Sequence, residues 1–99
     1  MRTYAFSRRA ESELDAQIDY LTSRGAFRPA EQLADRIEGF LRDFLAAYPR
    51  TGKYIPERDL WEIWSPGTRL VLWYRFTNTH LDVVRIWHAS RDRNAAPIA

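Results

Sequence analysis

Residues 69–76 read Arg69-Leu70-Val71-Leu72-Trp73-Tyr74-Arg75-Phe76 and decide the predicted fold. Five consecutive apolar residues, 70–74, lie between two arginines. A short apolar run of this length predicts a β-strand with apolar side chains on both of its faces. A strand that is apolar on both faces belongs in the middle of a sheet, because both faces then need cover.

The segments on either side of this strand alternate with a period of two residues. Residues 59–64 and 81–88 are therefore predicted strands. Short turns at 65–67 and 77–80 connect them to the central strand. Because connections this short join antiparallel neighbours, residues 59–88 predict an antiparallel meander of three strands.

The first half of the chain predicts a short strand and two helices. Residues 3–6 form the strand, and Ser7 is a suitable N-cap for a helix that ends near Gly25. Pro29 occupies the first turn of a second helix, which extends to about residue 47 and stops before Pro49. Its apolar residues recur with helical spacing. The composition of residues 49–57 predicts a loop.

These elements predict an α+β fold of two layers in the order β-α-α-β-β-β. The helical hairpin packs on one face of an antiparallel sheet. A length of 99 residues fits a single domain spanning 1–99, and we expect the tail after about residue 94 to be flexible.

Composition excludes several classes of protein. The chain has no cysteine, which excludes disulfides and thiolate metal sites. No apolar run reaches the length of a membrane span, and the N-terminus lacks the apolar core of a signal peptide. We therefore expect a cytoplasmic protein without a metal or cofactor. The net charge is +2, but the sequence from Arg50 onward contains eight basic and five acidic residues. One surface can therefore be positive.

The central strand also predicts a binding partner. The helical hairpin covers one face of the sheet, and no further predicted element remains to cover the other. Apolar side chains on such an open face are typical of a protein interface. The alternative is that the sheet twist and the tail cover them.

Several motifs, in order, resemble toxins of the RelE/ParE superfamily and are most similar to ParE-type toxins. Ser7 to Leu14 follows the pattern Ser-x-x-Ala-Glu-x-x-Leu, and Ile18-Asp19-Tyr20-Leu21 follows one turn later. Ala47-Tyr48-Pro49 with Gly52 resembles the family's helix end and loop. The central and closing strands are also similar, through Gly67-x-Arg69-x-x-x-x-Tyr74-Arg75 and Val84-Arg85-Ile86-Trp87-His88-Ala89-x-Arg91-Asp92.

The resemblance implies a toxin from a type II toxin–antitoxin pair, neutralised by a cognate antitoxin that covers apolar surface. It implies two possible activities. ParE-type toxins bind and poison DNA gyrase without chemistry of their own, and without specific DNA binding by the toxin alone. RelE-type toxins cleave messenger RNA on the ribosome, with attack of a 2′-hydroxyl on the adjacent phosphate.

The residues favour the gyrase poison. A nuclease of this kind needs a base, an acid and cations around the phosphate. Arg69, His88 and Arg91 could supply a minimal set, but no tyrosine follows residue 74 and the preceding loop is poor in lysine. We therefore expect target inhibition to depend on Arg69, His88, Arg91 and Asp92.

The antitoxin contact is expected at an apolar and aromatic set: Trp61, Trp64, Val71, Trp73 and Trp87. Each candidate also has a structural interpretation. The tryptophans can be core residues, Arg91 and Asp92 can form an ion pair, and His88 can be a hydrogen-bonding group. Arg85 can pair with Glu62 or Asp82 across the sheet.

Overall fold

The computed structural model describes residues 2–89 and has two helices on one face of a five-stranded sheet. The strand order is β1-β5-β4-β3-β2. The predicted order of elements and the two-layer α+β architecture are confirmed. The elements are β1 Thr3–Phe6, α1 Arg8–Ser23, α2 Phe27–Phe40, β2 Lys53–Ile55, β3 Leu60–Ser65, β4 Leu70–Phe76 and β5 His80–His88.

The sheet is mixed rather than wholly antiparallel. The meander β3-β4-β5 is antiparallel as predicted, but β1 lies parallel to β5, with Tyr4 opposite Leu81. The prediction of a loop over residues 49–57 is wrong at the centre of that range. There β2 pairs with β3 and extends the sheet by one strand. A strand of three residues has too little periodicity to be visible in the sequence, and its pairing with β3 defines it.

The first helix begins and ends as predicted. The Ser7 hydroxyl accepts a hydrogen bond from the Ala10 amide at 3.0 Å and so satisfies one free amide of the first turn. Gly25 follows the helix with φ +78°, a left-handed conformation that glycine adopts without strain.

The second helix begins at Phe27 and has Pro29 in its first turn as predicted, but its end departs from the prediction. After Phe40 the chain continues as a π-helical turn, Leu41–Leu45. A π turn holds more residues than an α turn, so it rotates the following side chains around the helix axis. Leu41 and Leu45 are fully buried. Phe44 and Tyr48 belong to the same helical spacing of apolar residues in the sequence, but they are exposed.

Tyr74 joins the sheet to the segment after the helices. Its side chain is fully buried, and its hydroxyl donates to the Pro49 carbonyl at 2.6 Å. Burial raises the pKa of Tyr74 to about 12, although a hydrogen bond from the Gly52 amide opposes the rise. A Cβ at Gly52 would lie 2.7 Å from the Glu62 carbonyl oxygen, so only glycine fits this crossing without displacement.

A β-bulge interrupts β5 opposite the centre of β4. Trp73 pairs with Arg85 and Tyr74 pairs with Val83, which leaves Val84 as an extra residue. The bulge changes which side chains face the helices. Before it Val83 faces the helical core, and after it Ile86 does.

No helix within residues 2–89 is long and apolar enough to cross a membrane.

Candidate functional site

The candidate site lies on the open face, which is the sheet face opposite the two helices. Cross-strand pairing places Trp64 opposite Val71 and Val71 opposite Trp87, so the three share this face. Trp73 belongs to the same face, and its ring meets that of Trp87 edge-on at 4.8 Å. Four of the five residues predicted to contact an antitoxin are therefore neighbours.

The fifth predicted residue lies elsewhere. Trp61 is opposite Tyr74 and packs against the helix-side core. Its ring lies 5.3 Å from that of Tyr54 and 5.5 Å from that of Phe76. Trp61 is thus on the opposite face of the sheet from the other four residues.

The open face is less exposed than the sequence alone indicates. Val71, Trp73 and Trp87 each keep less than a tenth of their surface accessible, whereas Trp64 is 62% exposed. The indole of Trp73 donates to the Glu62 carboxylate at 2.8 Å, and the Arg58 guanidinium lies 5.3 Å from its ring centre. A cation over an indole face is attracted by the ring electrons, so this contact is stabilising.

Arg85 pairs with Glu13, so the predicted pairing with Glu62 or Asp82 is wrong. Arg85 donates to both oxygens of Glu13, with the shortest contact at 2.6 Å. The same carboxylate accepts the Ile86 amide at 2.9 Å. Beyond the bulge β5 has no β1 residue beside it, because β1 ends at Phe6. Glu13 of α1 therefore takes the place of a strand partner along this free edge.

A cleft of about 460 Å³ crosses the open face from the start of α1 to the loop before β3. Four arginines line it: Arg9, Arg58, Arg75 and Arg85. Leu60, Trp73 and Val84 supply apolar surface. Glu57 is its one acidic lining residue among those described. The arrangement can bind a negatively charged group beside an apolar one.

The loop at one end of the cleft is fixed by Arg75. Its guanidinium donates to the Asp59 carbonyl at 3.0 Å and to the Arg58 carbonyl at 3.3 Å. These bonds hold a loop in which Asp59 has φ +52°, a conformation that is uncommon for a residue other than glycine. The loop in turn holds Arg58 over Trp73.

The residues predicted to act on the target lie at one end of the sheet. The Arg69 carbonyl accepts the Ala89 amide at 3.0 Å, which places Arg69 beside the end of β5. His88 is opposite Leu70, a residue of the helix-side core, so the histidine belongs to that face. Arg91 and Asp92 lie outside the described residues.

Sequence reasoning missed the cleft for two reasons. Its arginines come from separate segments, and Arg9 is near the start of the chain, whereas the excess of basic residues begins at Arg50. The bulge at Val84 directs two consecutive residues, Val84 and Arg85, to the cleft. The one available signal was the pair Val83-Val84 followed by arginine, which breaks the alternation of an otherwise amphipathic strand.

Within the described part of the chain, no group of three or more His, Asp or Glu side chains is arranged to hold a metal ion.

Comparison with known proteins identifies relatives of this architecture. Residues 4–93 match the profile of a family described as the ParE toxin of type II toxin–antitoxin systems, parDE. A solved chain of the chromosomal ParDE TA system from P. aeruginosa superposes with a TM-score of 0.71 at 16% sequence identity, over 89% of this chain and 96% of that one. A search of curated proteins gave no significant match.

Proposed function

The chain belongs to the ParE toxin family of type II toxin–antitoxin systems, and we propose that it inhibits growth by binding and poisoning DNA gyrase. Its action would be a binding event in the cytoplasm, relieved by a cognate antitoxin. The observation that carries the proposal is the family match over residues 4–93, nearly the whole chain.

The placement of the nuclease candidates supports a binding function over catalysis. His88 is the candidate base, yet it lies opposite Leu70 on the helix side of the sheet. The centre of the open face holds Trp73, which is buried and bonded to Glu62. An indole donates one hydrogen bond and neither accepts nor transfers a proton at neutral pH. The centre of the open face therefore holds an aromatic ring that supplies no acid–base group.

The gyrase contact is proposed at the end of the sheet that carries Arg69 and His88, together with Arg91 and Asp92, which lie outside the described residues. The Arg69 side chain is exposed, and its backbone has φ +62° and is bonded to Ala89. A strand end that presents an exposed arginine suits a protein contact. The antitoxin contact is proposed on the open face, where the exposed Trp64 adjoins Val71.

The test is a supercoiling and cleavage assay with purified gyrase, relaxed plasmid and the free toxin. We expect loss of supercoiling or accumulation of cleaved plasmid. Arg91→Gln should weaken inhibition by about tenfold, which equals about 1.4 kcal/mol of binding free energy. Arg24→Gln removes the same charge near the end of the helical hairpin and should leave inhibition unchanged. If a folded preparation has no effect on gyrase, the proposal is wrong.

A ribosome-dependent messenger RNA nuclease is the second candidate. The arginine-lined cleft is the feature that favours it, because arginines can neutralise a phosphate in the transition state. Incubation of the toxin with translating ribosomes and labelled message tests it. Cleavage that His88→Ala abolishes would establish this activity, whereas intact message would remove it.

A further inference from the structure

We propose that the arginine-lined cleft on the open face binds an acidic segment of the antitoxin, with glutamate or aspartate side chains on its arginines and an apolar side chain on its floor. The inference rests on the proposed toxin–antitoxin function and names the chemistry of the partner at this surface. It is separate from the gyrase contact, which is proposed at the end of the sheet.

Two arginines of the cleft form no ion pair with any of the residues 2–89. Among the described residues, the ion pairs are Arg42–Asp43 and Arg85–Glu13. Arg9 and Arg58 line the cleft and belong to neither pair. They come from different elements, one from the first turn of α1 and the other from the loop before β3. A ligand that spans the cleft can therefore meet both.

Contacts within the protein hold the Arg58 side chain in place before any ligand binds. Its guanidinium lies over Trp73, while its carbonyl accepts a hydrogen bond from Arg75. A side chain that is already ordered loses less conformational entropy when it binds. A guanidinium also binds a carboxylate with two parallel hydrogen bonds, so a fixed Arg58 would select a carboxylate in one orientation.

The floor between these arginines is apolar. Leu60, Trp73 and Val84 line it, and the exposed Trp64 continues the same face. An extended peptide with both acidic and apolar side chains fits a cleft of this kind. Its carboxylates match the arginines in charge, and its apolar side chains match the apolar lining.

A nucleic acid fits the same surface less well. Binding of a phosphate backbone depends on several unpaired cations along a track. Here Arg85 is neutralised by Glu13, and Glu57, Glu62 and Asp59 lie at or beside the cleft. These carboxylates repel a continuous phosphate backbone, whereas a short acidic peptide can place single carboxylates on Arg9 and Arg58 between them.

The test uses fluorescence anisotropy with the full-length toxin and a labelled hexapeptide, acetyl-Glu-Leu-Glu-Glu-Leu-Glu-amide. Titrations are run at low salt with the wild type, with Arg9→Gln/Arg58→Gln, and with Arg24→Gln/Arg28→Gln. The last variant removes the same charge from exposed positions at the helical hairpin. Circular dichroism confirms that all three proteins are folded. A 12-base-pair DNA duplex carrying the same label is the phosphate probe.

We expect saturable peptide binding that weakens by about tenfold or more in the cleft variant and by less than about twofold in the hairpin variant, since charge-assisted hydrogen bonds are lost in the cleft. Replacing both leucines of the peptide by glycine should also weaken binding.

Three results would overturn the inference: no peptide binding to the wild type, equal weakening in both variants, or tighter binding of the duplex that depends on Arg9 and Arg58. None of these bears on gyrase inhibition. If the toxin poisons gyrase but does not bind the peptide, the proposal for the cleft is wrong and the proposal for gyrase stands.

Discussion

The two faces of β4 differ in what their side chains contact. On the helix side, Leu72 and Tyr74 are fully buried in the core between sheet and helices. On the open face, Val71 and Trp73 are also largely buried, but Trp73 is bonded to a carboxylate and lies under a guanidinium. Adjacent residues of one strand thus occupy an apolar core and a charged surface cleft.

The difference separates stability from recognition. The helix-side core brings together residues from both helices and four strands, so a defect there affects the whole fold. The open-face cluster is smaller and borders the cleft, in which Arg9 and Arg58 form no ion pair with a described residue. We expect substitutions on the first face to change the free energy of unfolding, and substitutions on the second to change binding.

The largest expected effect is on the helix side. Leu72→Ala removes a fully buried side chain and leaves a cavity, which should lower the free energy of unfolding by about 2–5 kcal/mol. Urea denaturation followed by circular dichroism measures the change. A loss below about 1 kcal/mol would mean that this face is not the tightly packed core.

The next effect concerns the edge where the two faces meet. Glu13→Ala removes the partner of Arg85 and of the Ile86 amide, and should cost about 2–3 kcal/mol because both donors are partly buried. Thermal denaturation measures it. Arg42→Ala breaks the exposed pair with Asp43 and serves as the control, with an expected loss well below that of Glu13→Ala because solvent screens an exposed pair. Equal losses in the two variants would show that Glu13 is not a structural partner of β5.

Gly52 tests how closely the backbone packs against β3. Gly52→Ala places a methyl group against the Glu62 carbonyl and should cost about 1–3 kcal/mol through overpacking. Gly39→Ala is the matched control in α2, where the nearest atom is 3.7 Å away on a flexible arginine. It should stabilise the protein by about 0.5–1 kcal/mol, because alanine favours helix. Denaturant midpoints of both variants test the pair, and stabilisation by both would contradict the close contact.

The raised pKa of Tyr74 predicts how the stability of the fold changes at alkaline pH. Its pKa in the folded protein is about 12, above the ordinary value of 10.0. Between these values the unfolded chain releases the tyrosine proton and the folded chain keeps it. This contribution to stability is therefore complete below pH 10 and is lost as pH rises toward 12. The difference in unfolding free energy between wild type and Tyr74→Phe should shrink over this window. A constant difference would show that Tyr74 ionises equally in both states.

The smallest effect is expected on the open face. Trp64 is 62% exposed, so Trp64→Ala should change the free energy of unfolding by no more than about 0.5 kcal/mol. The same variant should weaken the complex with an antitoxin, which isothermal titration calorimetry measures. A stability loss as large as that of Leu72→Ala would erase the distinction between the two faces.

The sequence determined those elements that are long enough to leave a local periodic signal. Alternation gave the three meander strands, helical spacing gave the hairpin, and Ser7 and Gly25 mark the ends of α1 as predicted. The order of family motifs gave the toxin resemblance, which the family match confirms. The sequence also predicted one contact set of Trp61, Trp64, Val71, Trp73 and Trp87, of which all but Trp61 share the open face.

The tertiary structure alone decided the relations between distant segments. Strict alternation would place Trp87 on the same face as Val83, but the bulge at Val84 moves it to the open face beside Val71. The strand β2, the Glu13–Arg85 pair and the cleft between Arg9 and Arg58 likewise join residues far apart in the chain. Periodicity reports the environment of neighbouring residues. Contacts between segments depend on how the folded elements pack, and they leave no comparable signal in a single sequence.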